Sequence, residues 1–591
     1  MNGSNKSAFR HTYNHPLGSK RVDECGWVES LSGLEQGDEA TRLVLQDSEV
    51  TLQSHSSSSA AAADVRLELD NSEDESRRVF LRELSLQVGK CGEAVLELGA
   101  SESSVGPVCE TEEKLEKLLD AIELLSKENG FVMTVLRKQS ATGSKAGCDV
   151  CVRREVGSAP PLEIRVAVIG NVDSGKSTMV GVLTRGILDD GRGKARATVF
   201  KHNHESSTGR TSAIGQHNLC LNAEGVALND AAFKTANSGE YISRAAKVVT
   251  LVDLAGHEKY FKTTAFGLTG HLPDYACLII GANAGIVGMC KEHLGISLAL
   301  RIPAFFVVTK IDLAPQHVLQ HTISTLQAIL KKPGVKKKPI LVKTRDDVIM
   351  CARHIHSNTL APIFLTSCVT GEGLDLVNLF FNLLQERFDW AERAANPAEF
   401  LIDETFSVPG VGTVVAGTVK QGVITTNTPM LLGPDIGNGR FSACGIKSIH
   451  YKRLPVERVV AGQSASFCLK KVKRSQVRKG MALVSPDLKP AASWEFDADI
   501  AILTHATTIR PRYTAVIHCE IVRQSARLIC IDCKDVLRSG SRAVVRFRFL
   551  SHPEYLTLGS RFVFREGKTK GIGVIVGTEA QPADRNPVVS Q

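Results

Sequence analysis

The spacing of apolar residues changes character four times along the chain. From 1 to 76 apolar positions are sparse and unpatterned. Ser54–Ala63 reads SHSSSSAAAA, and Asp64–Ser76 is acid-rich with few aromatics, so a disordered N-terminal tail is expected. From 77 to 156, Val79–Val88 and Ala94–Leu98 read as strands. Leu115, Leu118, Leu119, Ile122 and Leu125 follow a Thr111 cap at helical spacing, Asn129-Gly130 closes that helix, and Phe131–Leu136 reads as another strand. This predicts a small α+β module, either a structural accessory or a docking unit. A linker rich in Gly, Ser and Pro, Gly157–Pro161, leads to residues 162–390. There, short β-branched runs alternate with helical patterns: Ile164–Ile169, Lys247–Val252, Tyr275–Ile280, Ala304–Val308 and Pro362–Leu365. Runs apolar on both faces predict an α/β unit with a mostly parallel sheet covered by helices. After Pro397 the period shortens to alternation broken by Gly and Pro, which predicts two antiparallel β-barrels, 397–488 and 492–580, before a polar tail at 581–591.

Composition agrees with a multidomain protein of 591 residues, 43% hydrophobic and 23% charged. No apolar run approaches the length of a membrane span, and the first twenty residues lack the apolar core of a secretory signal, so no membrane partner and a cytoplasmic location are expected. Fifteen cysteines are scattered. The pairs Cys148/Cys151 and Cys530/Cys533 have no second pair at zinc-site spacing and are read as structural thiols. The net charge of +8 suits an RNA partner without requiring one. Two basic features could carry it: Lys331–Lys338, and the arginines of the second barrel. In Arg546-Phe547-Arg548-Phe549 alternation puts both arginines on one strand face and both aromatics on the other. Each feature suits a phosphate backbone, and each suits a solvated surface equally well.

Candidate chemistry concentrates at the carboxyl ends of the α/β strands. Gly170-Asn171-Val172-Asp173-Ser174-Gly175-Lys176-Ser177 fits G-x-x-x-x-G-K-[ST] and continues to Thr178 at the start of a helical pattern. Such a loop turns backbone N–H groups around phosphate oxygens, the lysine reaches the β and γ phosphates, and the hydroxyl can ligate Mg²⁺. Asp253-x-x-Gly256 follows another strand: the acid can hold Mg²⁺ through water, and the glycine lets a backbone N–H approach a γ-phosphate. His257 beside it can orient a water, or can be only a solvated loop histidine. In Thr309-Lys310-Ile311-Asp312 the aspartate can accept two N–H donors from a guanine edge, donors that adenine lacks, while the Lys310 stem packs on the base. Thr366-Ser367-Cys368 ends the last strand, where backbone N–H groups can meet the guanine O6.

Together these stretches resemble the translation-factor GTPases: GNVDSGKST, Thr211, DLAGHE, TKID and TSC occur in that family's order and spacing. Phe406–Ile424 resembles the opening hairpin of the family's second-domain barrel, and Gly559–Gly567 its third-domain closing strands. Within the family the chain is most similar to the GTP-binding protein 1/2 group, with TKID and the N-terminal tail leaning toward its second member. The resemblance implies a P-loop GTPase domain followed by two barrels. It implies Mg²⁺ held by Ser177, Thr211 and, through water, Asp253, with His257 as the catalytic histidine. Gly170 to Thr178 and Gly256 would bind the phosphates of GTP, and Thr309, Lys310, Asp312, Ser367 and Cys368 the guanine. The implied activity is GTP hydrolysis to GDP and phosphate by a monomeric switch on the ribosome. It would deliver a tRNA or a tRNA-shaped release or rescue factor, and the 1/2 group points to stalled ribosomes. A GTP-responsive adaptor with negligible hydrolysis is the competing expectation.

Three departures from the family pattern bear on it. Thr309 stands where Asn is usual, which is expected to remove both a base contact and a brace to the P-loop. Arg210 precedes Thr211 where relatives have an apolar partner for Val172. Ala255 replaces a proline before Gly256. The long connection from Asp189 to about Val248, rich in Gly, Ser and Thr, is expected to be mobile until ligands order it.

Overall fold

The computed structural model describes residues 82–580, apart from 99–110, 140–146, 229–237 and scattered single or paired positions. The tails expected at 1–76 and 581–591 lie outside the described residues. Among the described residues no helix is long and apolar enough to cross a membrane.

The N-terminal unit is an antiparallel sheet of β1 (Glu93–Leu98), β2 (Phe131–Gln139) and β3 (Gly147–Arg154) in the order β1-β3-β2, covered by helix Glu112–Glu128. That helix starts where the Thr111 side chain accepts a hydrogen bond from the Lys114 N–H at 3.3 Å, and it buries Leu115, Leu119 and Ile122 against Leu96, Val150 and Val152. Two expectations fail here. The described residues between 82 and 89 are helical rather than extended, because Leu84 and Val88, four apart, share the buried face while Leu86 is exposed. And β3, not foreseen, runs through the middle of the sheet. It carries Cys148 and Cys151, whose odd separation turns them to opposite faces, so they cannot chelate as a pair.

This unit is fastened to the α/β domain by buried charge. The Arg153 guanidinium donates to Glu93 at 2.8 Å and to the backbone oxygens of Asn222, Ala223 and Asn382. Lys247 donates to the other Glu93 oxygen at 2.6 Å and to the carbonyls of Asn382 and Leu384. Burial pushes the Glu93 carboxyl up, but Lys247 and Arg153 outweigh it and hold the pKa below the ordinary value.

The α/β domain continues with β4 (Leu162–Gly170), β5 (Gly215–Leu221), β6 (Lys247–Asp253), β7 (Tyr275–Gly281), β8 (Ala304–Thr309), β9 (Lys338–Leu341) and β10 (Leu360–Leu365), ordered β5-β6-β4-β7-β8-β10-β9. Every pairing is parallel except β5 with β6. The central strands bury both faces, with Val166, Val168, Leu251 and Ile279 on one side and Ala167, Ile169, Val252 and Ile280 on the other. The two edge strands escaped the sequence pattern. β5 is half polar, and β9 has four residues including Pro339, which an edge tolerates. The basic run before β9 is not uniformly solvated, since Lys337 is buried with its ammonium on Asn358.

Both C-terminal barrels are closed by six strands. The first runs Met430–Gly433, Ala482–Val484, Glu399–Val408, Gly412–Gln421, Ser464–Lys470, Ser442–Tyr451 and back to the start. The second runs Arg542–Phe549, Val522–Ile531, Thr514–Cys519, Arg561–Glu566, Thr569–Ala580, Ala492–Thr504 and back. Phe547 and Phe549 point into its core as alternation requires. The arginines opposite them do not offer a free phosphate-binding face. Arg542, Arg546 and Arg548 pair with Asp499, Asp497 and Glu495 of the neighbouring strand at 2.6, 2.7 and 3.3 Å.

Replacing Glu93 by Ala leaves two buried cations without their anion and is expected to destabilise the chain by about 3–5 kcal/mol, read as a lower urea midpoint. With the Glu93 pKa depressed in the folded state, its contribution is present above the ordinary carboxylate value. It is lost as pH falls through the folded pKa. The gap between wild type and Glu93→Ala should therefore narrow in acid.

Candidate functional site

The loop between β4 and helix Lys176–Arg185 has a shape that its sequence enforces. Gly175 caps the helix with φ 92°, a left-handed conformation that a side chain would strain, and Asp173 is also left-handed at φ 58°. A Cβ at Gly170 would strike the Ile279 carbonyl oxygen of β7, so the strand-to-loop turn passes hard against its neighbour. Inside the turn, the Asn171 carbonyl accepts from Lys176 Nζ at 2.6 Å and from Ser174 Oγ at 2.9 Å. The Gly170 N–H donates to His293 Nδ1 at 3.3 Å. Burial lowers the Lys176 pKa, with Asp253 opposing that effect.

A cleft of about 540 Å³ opens over this loop, lined by Val172, Asp173, Gly175 to Thr178, Gly256, His257, Thr211 and Lys310. Three segments far apart in sequence meet at its floor. Ser177 Oγ donates to Asp253 Oδ2 at 2.6 Å and lies 2.7 Å from Thr211 Oγ1, which is itself 3.4 Å from the same carboxylate oxygen. Among the described residues Asp253 Oδ1 is buried without a hydrogen-bond partner, and burial raises the carboxyl to about 6 despite Ser177 and Lys176. Two hydroxyls and an unsatisfied carboxylate are a hard-oxygen donor set that fits Mg²⁺. Gly256 follows at the same floor: a Cβ there would sit 2.7 Å from the Asn171 backbone and against the Lys176 ammonium, so only glycine brings this segment onto the phosphate loop. Ala255 is buried, and its carbonyl accepts from Thr264 Oγ1 at 2.6 Å, which ties this segment to the helix that follows. His257 is half-exposed at the rim. Its Nδ1 accepts from the Lys259 N–H at 3.1 Å, so in the neutral ring the proton lies on Nε2.

The segment carrying Thr211 is ordered by a residue that no local sequence pattern singles out. Glu205 is buried, and its carboxylate accepts from the N–H groups of Ser212 (2.7 Å), Ala213 (3.1 Å) and His202 (3.2 Å) and from Ser212 Oγ. The connection expected to be mobile is folded here into short helices, Lys194–Ala197 and Asn203–Thr208. Arg210 is exposed at the mouth of the cleft beside Val172.

On the other side of the cleft, β8 and β10 are neighbours, so the loops holding Lys310, Asp312, Ser367 and Cys368 lie side by side. Lys310 Nζ donates to the Asp173 carbonyl at 2.7 Å, and Asp312 is exposed. Ser367 Oγ accepts from the N–H groups of Val369 and Thr370, and the Cys368 carbonyl accepts from the Asp189 N–H. Burial pushes the Cys368 thiol up to about 12, which leaves it protonated and inert at neutral pH. Thr309 departs from expectation. Its buried hydroxyl donates to the Ser174 carbonyl at 2.6 Å, so the brace to the P-loop is present, made by a shorter side chain.

The family model described as "Elongation factor Tu GTP binding domain" matches residues 163–389. The chain is 52% identical over 450 residues to GTP-binding protein 1 of Xenopus laevis, covering 75% of this chain and 67% of the relative. It is 41% identical over 503 residues to GTP-binding protein 2 of Homo sapiens, covering 84% and 83%. Identity is thus higher to the first of these two than to the second, toward which Thr309 and the N-terminal tail had leaned. Among solved structures it is similar to a bacterial selenocysteine-specific elongation factor EF-Sec (TM-score 0.52, 19% identity, 70% of this chain and 58% of that one). It is also similar to elongation factor SelB from Methanococcus maripaludis with the GTP analogue GppNHp (TM-score 0.51, 19% identity, 71% and 80%). These two likenesses speak to the fold.

Two substitutions test the geometry. Gly256→Ala forces the segment off the phosphate loop and should weaken binding of a non-hydrolysable GTP analogue at least about tenfold, or ~1.4 kcal/mol, while binding GDP nearly as wild type, in equilibrium titrations. Thr309→Val keeps the shape but removes the donor to Ser174. A loss of roughly 0.5–1.5 kcal/mol is expected, seen in stopped-flow as nucleotide release about two- to tenfold faster.

Proposed function

The chain belongs to the translation-factor GTPases and, within them, to the GTP-binding protein 1/2 group, and from that premise we propose that it is a GTP-hydrolysing switch that delivers a tRNA or a tRNA-shaped rescue or release factor to stalled ribosomes in the cytoplasm. The observation that carries the reading is the meeting of Ser177, Thr211 and Asp253 beside Gly256. It ties the phosphate loop to two segments whose positions would depend on a γ-phosphate.

The proposed roles follow the geometry. The loop from Gly170 to Thr178 cradles the phosphates, with Lys176 on the β and γ groups. Ser177, Thr211 and, through water, Asp253 would hold Mg²⁺, which would stabilise phosphate charge as a Lewis acid. Lys310, Asp312, Ser367 and Cys368 hold guanine, Asp312 by accepting from the ring N–H and the exocyclic amine, with Thr309 supporting them from under the loop. His257 presents Nε2–H at the rim, where it can hold the oxygen of an attacking water in line with the γ-phosphorus. The two barrels serve as the surface that carries cargo and meets ribosomal RNA.

His257→Ala is expected to leave GTP binding intact and to lower ribosome-stimulated single-turnover hydrolysis by about 10²–10⁴-fold. If ribosomes give the wild-type chain no acceleration, and the substitution changes nothing, the chain is a GTP-responsive adaptor instead. Cargo is read by recovering the GTP-locked chain from ribosomes and identifying what is bound.

A further inference from the structure

A second arginine, Arg196, lines the phosphate cleft together with Lys176, Thr211 and His257. It lies in the connection before Thr211, and the fold spends several contacts on placing it. Asp189 ties the start of the segment to the guanine-side loop by donating its N–H to the Cys368 carbonyl at 2.9 Å. Its carboxylate accepts from the Ala195 N–H at 2.8 Å, which fixes the turn leading to Arg196. Asp190 accepts from the N–H groups of Arg192 and Lys194. Gly181, on the helix that follows the P-loop, lets the segment press down on that helix: a Cβ there would lie 2.7 Å from the Ala195 carbonyl carbon and closer still to its oxygen.

The guanidinium then sits between two glycines. A Cβ at Gly193 would be 2.9 Å from Arg196 Cζ, and one at Gly209 would be 3.4 and 3.5 Å from its two terminal nitrogens. Gly209 immediately precedes Arg210 and Thr211, so the guanidinium rests against the backbone that leads into the candidate Mg²⁺ ligand. Arg196 is half-buried, and among the described residues no carboxylate pairs with it. A half-buried guanidinium that lines the phosphate cleft, with no carboxylate paired to it among the described residues, is provided for an anion that comes from outside.

We propose that Arg196 is a ligand of the γ-phosphate of GTP, acting within the same chain. The inference rests on the reading of the cleft as a GTP site. In the reaction, the water oxygen forms a bond to the γ-phosphorus and the bond from that phosphorus to the β–γ bridging oxygen breaks. The electron pair of that bond stays on GDP, and the water proton leaves with the phosphate. Arg196 neutralises the negative charge on the γ-oxygens and the bridging oxygen as this happens. Arg210, exposed at the mouth, is not required for this role.

The test compares wild type with Arg196→Ala and Arg196→Lys, measuring single-turnover GTP hydrolysis with and without ribosomes and equilibrium binding of GDP and of a non-hydrolysable GTP analogue. Arg196→Ala should hydrolyse about a hundredfold more slowly and bind the GTP analogue more weakly, with GDP affinity within about twofold of wild type, which also reports a folded site. Arg196→Lys should recover less than about tenfold of the lost rate, because an ammonium lacks the two-pronged geometry. Hydrolysis by Arg196→Ala at the wild-type rate would overturn the assignment. So would an equal loss of GDP and GTP-analogue affinity, which is what a merely structural role predicts. A wild-type chain that hydrolyses no GTP under either condition would overturn the proposed function, and the assignment with it.

Discussion

The site depends on a carboxylate that the fold has buried without giving it a positive partner within hydrogen-bonding distance. Asp253 meets two hydroxyls, keeps one oxygen unsatisfied among the described residues, and burial chiefly lifts its pKa to about 6. Removing an acid from water at such a place costs several kcal/mol unless a cation answers it. Lys176, the nearest candidate, is turned onto the Asn171 carbonyl. The strand that carries Asp253 is central in the sheet and cannot move to relieve it. The segment with Thr211 reaches the same floor from the long connection after the P-loop helix, held there by the Glu205 carboxylate. A divalent cation at this floor would answer the buried carboxylate and tie the Thr211 segment to the phosphate loop.

The two barrels meet the α/β domain at different places. Arg565 of the second barrel lies 3.9 Å from the centroid of the Phe261 ring and pairs with Glu292 at 3.3 Å, while Lys570 pairs with Glu292 at 2.8 Å. Glu292 is next to His293, which is buried, stacks on Phe261 and accepts from Gly170. Arg565 also lies 3.7 Å from Glu258, but that carboxylate is 72% exposed, so the contact contributes little beside the one to Glu292. The first barrel is joined instead at the far end of β4, where Glu163 meets Lys452 at 3.0 Å and Ser464 at 3.1 Å. One barrel thus leans on the helices under the phosphate loop, and the other on the foot of the strand that leads into it.

What the sequence discloses and what it hides divide along one line. Gly170 to Ser177, Asp253-x-x-Gly256 and Lys310-x-Asp312 are legible because each places its chemistry within a few residues after an apolar strand. Glu205, Arg196, Gly181 and His293 are not legible in this way: a glutamate or an arginine in a polar loop, a glycine in a helix and a histidine in an apolar pattern have no local mark, and Gly181 and His293 act on distant segments. The described residues between 82 and 89 are helical where the pattern predicts a strand because a sequence such as Leu84-Ser85-Leu86-Gln87-Val88 satisfies both periods, and only packing decides between them. The arginine strand of the second barrel was read correctly for its faces but not for its partners, since Asp497 and Asp499 come to it from some fifty positions earlier. Thr309 shows the converse: a departure from the family pattern looked like a loss, yet the hydroxyl supplies the brace at 2.6 Å.

Arg153, Glu93 and Lys247 have a consequence for how such a chain can vary over time. Two of the three belong to the N-terminal unit and one to the α/β domain, and all three are buried. A change at any one is tolerated only with a compensating change across the junction. The N-terminal unit is in this sense not a bead that can be traded between proteins on a linker, although the Gly157–Pro161 stretch looks like one. Its inheritance is bound to that of the β6 strand, and a lineage that lost the unit would also have had to replace Lys247.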